Sequence, residues 1–238
     1  MTTIIASSKQ SKKTFSVEWK KTPGLIPYDE AVYKMEERVN SIKNSTSPGL
    51  VWFVEHPSIY TAGTSSKNQD FLGTIHLPIY KTGRGGQYTY HGPGQRIVYV
   101  MINLNEYGRD VRAYVNNLQK WIISTLSTFG VYAEQKKNRV GVWINQPDGR
   151  EDKIAAVGVR VRHWITYHGI SINVSPNLSY YQGIVSCGVN NSKFGVTSLN
   201  DLGINITMNE LDQSLRDNFT RVFSTKDKNI TVSQDNLN

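Results

Sequence analysis

The sequence predicts one α+β domain built on a mixed β-sheet, and two features of its patterning carry that reading. Strand-like and helix-like segments interleave without the regular βαβ alternation of a parallel α/β fold. Across 238 residues there is no internal repeat and no linker that divides the chain. That length is ample for a buried core.

The elements follow in order. Residues 1–13 are polar and read as a frayed terminus. Phe15, Val17 and Trp19 alternate with polar neighbours over residues 14–19, the period of a half-buried strand. A helix begins at Pro27-Tyr28-Asp29, with Ala31, Val32, Met35 and Val39 at helical spacing. Residues 45–49 are a turn cluster. Residues 50–55 (LVWFVE) form a β-branched and aromatic run that reads as a buried strand stopping at His56-Pro57. Residues 79–81 are another short strand. Residues 83–95 are a Gly-rich loop, followed by a strand over 97–104. Asp110 opens a second helix with Val111, Tyr114, Val115, Leu118, Trp121, Ile122 and Leu126 on one face, and Gly130 as its C-cap. Residues 141–145 and 153–161 pair as strands around a turn at 146–150, and 167–174 is a further strand. Residues 192–198 end a loop. Thr207 or Asn209 caps a third helix through Phe223, with Leu211, Leu215, Phe219 and Val222 inside. The domain proper spans 14–224, and the polar tail at 225–238 is expected to be mobile.

Composition excludes several classes. A single cysteine, Cys187, allows no internal disulfide and no Cys-rich zinc site. The longest apolar stretch, 97–104, is interrupted by Asn103 and falls short of the roughly 18–20 residues of a membrane helix. Ile4, Ile5 and Ala6 alone cannot form the apolar core of a signal peptide. A soluble, cytoplasmic chain without membrane contact is expected. Lys and Arg number 27 against 19 Asp and Glu, a net charge of +8. That excess raises nucleic-acid binding as one reading. The charges are spread along the chain, however, with only short clusters such as Lys136-Lys137-Asn138-Arg139.

Four segments carry candidate chemistry. In residues 84–95 (RGGQYTYHGPGQ), glycines let backbone approach a ligand, Arg84 suits a carboxylate or phosphate, and His91 suits a proton or a hydrogen bond. A surface turn with a capping arginine fits the same residues. The spacing matches neither a phosphate-binding GxxxxGK[ST] loop nor a dinucleotide fingerprint. In residues 153–158 (KIAAVG), Lys153 opens a strand of small residues, either solvated or pointing into a site. In residues 164–174 (WITYHGISINV), His168 is either a sheet histidine or a site residue. In residues 186–189 (SCGV), Cys187 is either a small buried apolar group or a nucleophile. Its polar, Gly-flanked setting favours an accessible thiolate.

Together, RGGxxTxHGPGQ, KIAAxGxR, WxxxHGxxxNV, and CG followed by GxTS, in that order, resemble the lipoyl(octanoyl) transferases over residues 15–223. The 34-residue spacing from Lys153 to Cys187 also resembles that family's. Two departures are Ser186, where the family usually has proline, and a longer turn at 147–152. The resemblance implies the fold of biotin and lipoate protein ligases, a mixed sheet flanked by helices. It implies that Cys187 is the acyl-thioester nucleophile and that Lys153 lowers its pKa. It implies an acyl pocket lined by Arg84, Gly85, Gly86, Gln87, Tyr88, Thr89, Tyr90 and His91, by Ala156, Val157 and Gly158, and by Gly169, Ile170 and Ser171. The implied donor is octanoyl-acyl carrier protein. The implied acceptors are lipoyl domains of 2-oxoacid dehydrogenase complexes and the glycine cleavage H protein. A monomer is expected, with no cofactor, no metal and no nucleic acid.

The chemistry suits these residues. Thioester exchange onto a thiolate is nearly isoenergetic, and amide formation from a thioester is downhill, so no ATP is needed. A free thiol near pKa 8.5 is only a few per cent thiolate at pH 7, which a neighbouring ammonium would correct. His91 and loop N–H groups are candidates for oxyanion stabilisation, and Val157 and Ile170 for an apolar slot. Lys136, Lys137 and Arg139 are expected to steer an acidic carrier. Three rivals remain: an ATP-dependent lipoate or biotin ligase on the same fold, which needs no cysteine; a basic nucleic-acid module; and a silent acyl-protein binder.

Overall fold

The computed structural model describes residues 13–185, 193–224 and 228–233. In chain order the elements are β1 (Lys13–Leu25), α1 (Tyr28–Lys43), β2 (Gly49–Glu55), β3 (Ile59–Ala62), β4 (Ile79–Lys81), β5 (Tyr88–His91) and β6 (Gln95–Met101). Then come α2 (Leu104–Tyr107), α3 (Val111–Ser127), β7 (Glu134–Lys136), β8 (Arg139–Asn145), β9 (Glu151–Arg162), β10 (Ile165–Asn173), β11 (Phe194–Val196), α4 (Met208–Phe223) and β12 (Lys228–Ser233). The main sheet runs β12-β1-β2-β6-β10-β9-β8-β7, with β11 added to β9, and a small sheet runs β4-β3-β5. Parallel and antiparallel pairs occur in both.

Strands β2 and β6 are buried on both faces, so their sequences read as continuous apolar runs. Side chains still alternate. Leu50, Trp52, Val54, Ile97, Tyr99 and Met101 pack under Ala31, Met35, Val39 and Ile42 of α1. Val51, Phe53, Val98 and Val100 face the other way, against Leu118, Trp121 and Ile122 of α3 and Leu211, Leu215 and Phe219 of α4. Trp121 Nε1 donates to Leu215 O at 2.8 Å, joining the two helices. Arg96, on β6, ties α4 to the sheet. Its Nη2 donates to Asp212 Oδ2 at 3.1 Å, and its Nε approaches Oδ1 at 2.7 Å as an off-axis ion pair.

Helix signals in the sequence match the caps. Asp110 accepts from Ala113 N at 2.9 Å, and Thr207 forms a capping box with Glu210. Asn209 is inside α4, not its cap. Other boundaries differ from the sequence reading. Residues 88–91 of the Gly-rich loop are strand, because β3 pairs with them from Ile59 to Ala62. The strand expected over 97–104 ends at Met101, because Asn103 caps α2 by accepting from Asn105 N at 3.1 Å. Helix α3 closes at Thr128, with Gly130 two residues beyond it at φ 75°. Residues 228–233 of the expected mobile tail lie parallel to β1, in register from Lys13↔Lys228 to Glu18↔Ser233. Among the described residues, no helix is long and apolar enough to cross a membrane.

Candidate active site

A cavity of about 310 Å³ lies between the main sheet and the β5 side of the small sheet. Its floor is the α1-side face of β9, β10 and β6. The register sets Gly158 opposite Gly169 and Ser171 opposite Ala156, with Tyr99 and Ile97 next to them on β6. These small residues leave the floor open. Val157 and Ile170 border the cavity, but their side chains pack into the core on the other face. They supply backbone rather than the apolar slot expected of them. The opposite wall is formed by Arg84, Gly85, Gly86, Gln87, Tyr88, Thr89 and His91. Tyr90 does not reach the cavity. Its ring stacks on Tyr180 at 5.0 Å, and its hydroxyl meets Ser58 Oγ at 3.0 Å.

Lys153 reaches the cavity because of a backbone irregularity. One step along β8, Val142 to Trp143, spans two along β9, Ala155 to Lys153. That bulge leaves Ile154 and Ala155 both facing the core and turns Lys153 onto the cavity face. Gly141 makes room for the lysine stem, since a Cβ there would lie 3.2 Å from Lys153 Cε. The Lys153 ammonium sits 4.7 Å from the centre of the Trp143 ring. None of the ion pairs among the described residues involves Lys153 or Arg84.

Cys187 lies outside the described residues, within the segment 186–192. Both flanks of that segment are fastened to the fold. Val185 N donates to Asp70 O at 2.8 Å, and Glu151 N donates to Lys193 O at 2.9 Å. Strand β11 then pairs Val196 with Lys153, and Thr197 N donates to Lys153 O at 3.0 Å.

A buried hydrogen-bond chain of fixed direction runs beside the cavity. Arg84 Nη2 donates to Thr61 Oγ1 at 2.7 Å. The Thr61 hydroxyl, already an acceptor, donates to His91 Nε2 at 3.3 Å. His91 Nδ1 donates to Gln95 Oε1 at 2.7 Å, Gln95 Nε2 to Asn173 Oδ1 at 2.8 Å, and Asn173 Nδ2 to Thr197 O at 2.9 Å. Both ring nitrogens of His91 are therefore committed, and it has no N–H left for an oxyanion. Burial, with nearby His56, holds its pKa down at about 3, so the ring is neutral. Arg84 is committed as well. Its guanidinium donates to Thr61 O at 2.8 Å, Gln87 O at 3.0 Å and Gly85 O at 3.0 Å.

Several cavity residues had no local signal. Tyr28 comes from α1, with its pKa pushed up by burial to about 12. Tyr99 comes from β6, and its hydroxyl donates to His56 Nε2 at 2.6 Å. Trp143 comes from β8. For Thr61 and Asn173, the available sign was a polar residue within an apolar strand. His168 takes φ 58°, uncommon for a residue with a side chain, and its ring lies 6.2 Å from that of Tyr99 at the cavity wall. Burial, then Arg84, lower its pKa to about 3.

The expected basic steering cluster is internally paired. Lys136 bonds Glu134 and Glu151, and Arg139 bonds Glu151. Arg139 also lies 4.6 Å from the Trp143 ring and 4.3 Å from that of Phe194. Two of its three cations are thus spent on the β7–β8–β9 edge, because the strand pairing brings Glu151 alongside them.

Comparison with known proteins gives the family. Residues 27–220 match the lipoyl protein ligase A/B catalytic domain. The chain is 52% identical over 209 residues to an octanoyltransferase of Paramagnetospirillum magneticum, covering 88% of this chain and 98% of the relative. It is 50% identical over 218 residues to an octanoyltransferase of Brucella suis, covering 88% and 81%. Among solved structures, a bi-partite lipoate protein ligase from Thermoplasma acidophilum superimposes with a TM-score of 0.65 at 15% identity, covering 94% of this chain and 88% of that one. A biotin protein ligase from Aquifex aeolicus gives a TM-score of 0.50 at 13% identity, covering 89% and 70%. The mixed sheet flanked by helices is thus the fold of both ligase groups. The chain belongs to the lipoyl protein ligase A/B catalytic-domain family and is an acyltransferase of its octanoyltransferase group.

Proposed function

We propose that this enzyme moves an octanoyl group from octanoyl-acyl carrier protein, through a thioester on Cys187, to a lysine ε-amine of a lipoyl domain. The acceptors are the lipoyl domains of 2-oxoacid dehydrogenase complexes and the glycine cleavage H protein. One observation carries the reading. Lys153 is turned onto the cavity with no carboxylate partner among the described residues, and the strand following Cys187 is hydrogen-bonded to its backbone.

Lys153 as an ammonium stabilises the Cys187 thiolate. The thiolate attacks the acyl carbonyl, forming one C–S bond as the pantetheine C–S bond breaks. The departing thiolate takes the proton from Lys153. In the second half-reaction the acceptor amine attacks the acyl-enzyme, Lys153 takes its excess proton, and Cys187 leaves as thiolate. The cycle returns ammonium and thiolate to their starting state without ATP.

Intact-protein mass spectrometry after incubation with octanoyl-acyl carrier protein tests this. The wild type should gain one octanoyl mass, and Cys187→Ala none. An adduct persisting in Cys187→Ala would reject the nucleophile. Lys153→Ala should slow transfer by about 10²–10⁴-fold and shift thiol alkylation to higher pH. An unshifted alkylation profile would reject the role of Lys153.

A further inference from the structure

We propose that Arg84 is the stop that sets acyl-chain length, closing the cavity one octanoyl chain away from Lys153. This rests on the acyl-transfer reading above and adds to it the residue that selects the substrate.

Arg84 lies across the cavity floor at the Gly158–Gly169 pair. A Cβ on Gly158 would lie 2.9 Å from Arg84 Cδ, and a Cβ on Gly63 would lie 2.7 Å from its Nη1. Two glycines on separate strands and loops thus make the space that the guanidinium fills. The group cannot swing aside cheaply. It is buried and holds Thr61, Gln87 and Gly85 by hydrogen bonds, while Gly85 N is itself bonded to Val159 O at 2.9 Å.

The spacing suits an eight-carbon chain. Because of the bulge at Ile154, Lys153 stands four strand steps from Gly158, about 13 Å at ~3.3 Å per step. An extended octanoyl chain, advancing ~1.3 Å per C–C bond of ~1.5 Å, is about 9 Å long. The remaining few ångströms accommodate the thioester and one van der Waals contact. Two further methylenes would drive the chain end into the guanidinium.

The lining gains its ionisable groups at the same point. Between Lys153 and Gly158 it is Trp143, Ile97 and Ala156 with the uncharged Ser171 and Asn173. Around Arg84 it becomes Tyr28, Tyr99 and His168, whose pKa shifts all include the arginine's charge. A methyl terminus gains contact up to this boundary and meets buried polar groups beyond it.

Initial rates of acyl-adduct formation, read by intact mass with C6, C8, C10 and C12 acyl-pantetheine thioesters, test the stop. The wild type should favour C8 over C10 by about tenfold or more. Arg84→Ala should bring C8, C10 and C12 within about threefold of one another. Gly158→Ala removes none of the hydrogen-bond partners of Arg84 but crowds its stem towards the slot, so it should shift the preference towards C6. Gly158→Ala decides the matter if Arg84→Ala does not fold. Adducts with one length profile in wild type and in every folded variant would overturn the stop alone. No wild-type adduct from any donor would overturn the acyl-transfer reading and the stop with it.

Discussion

His91 illustrates what burial does to a residue chosen for its chemistry. The sequence places it in a glycine-rich segment where an imidazole suits acid–base work. In the fold it is one link in a chain of donors from Arg84 to Thr197. His56, His91 and His168 are all held neutral by burial, with pKa values near 4, 3 and 3, against an ordinary value of 6.5. Folded pKa values below the unfolded one mean that the unfolded chain binds protons first. The stability these rings contribute is therefore complete above pH 6.5 and is lost as pH falls towards 3–4, each ring costing up to about 1.4 kcal/mol per pH unit. Glu134 and Glu151, held down by Lys136 and other neighbours, act from the ordinary carboxylate value downwards, while Glu106, raised by burial, takes up its proton first in the folded chain and opposes the three histidines only in the lower part of their window. Urea unfolding should show lower stability at pH 5 than at pH 7. Equal stabilities at the two values would contradict the neutral assignment.

At the scale of elements, what was legible in the sequence is what local chemistry decides. Asp110 and Thr207 are caps because their side chains accept from the first turn, and α3 and α4 present apolar faces at helical spacing. Thr207→Ala should lower stability by about 1 kcal/mol, seen as a Tm lower by about 2–4 °C, with transfer rates unaltered because α4 does not line the cavity. Features set by partners were not legible. Residues 88–91 are a strand because β3 lies beside them. Lys153 faces the cavity through a register slip between β8 and β9 that no periodicity in 153–158 announces. The motifs around 84–91, 156–158 and 169–171 did name residues that the fold gathers around one cavity. They could not tell side chains that enter it, such as Arg84, from those that turn away, such as Ile170 and Tyr90.

For the whole molecule, the helical layers depend on polar contacts as well as apolar ones. Arg96 is 2% exposed, and Asp212, its partner from α4, is also held by Lys21 at 2.8 Å. Removing the Asp212 charge leaves Arg96 buried with only Glu55, at 4.0 Å, to offset it. Asp212→Asn should therefore cost about 3–5 kcal/mol in urea unfolding, far more than loss of the exposed Lys34–Glu30 pair. A loss below 1 kcal/mol would mean that packing among Trp121, Leu215 and Phe219 holds α4 by itself.

The parallel pairing of β12 with β1 joins the last described strand to the first. A ribosome makes β1 well before β12, so the outer rim of β1 stays bare while the intervening domain is made and folds. Its unpaired N–H and C=O groups are, for that interval, a template any passing extended segment could copy. Arrival of residues 228–233 ends that exposure, so these six residues act as a seal on the rim of β1.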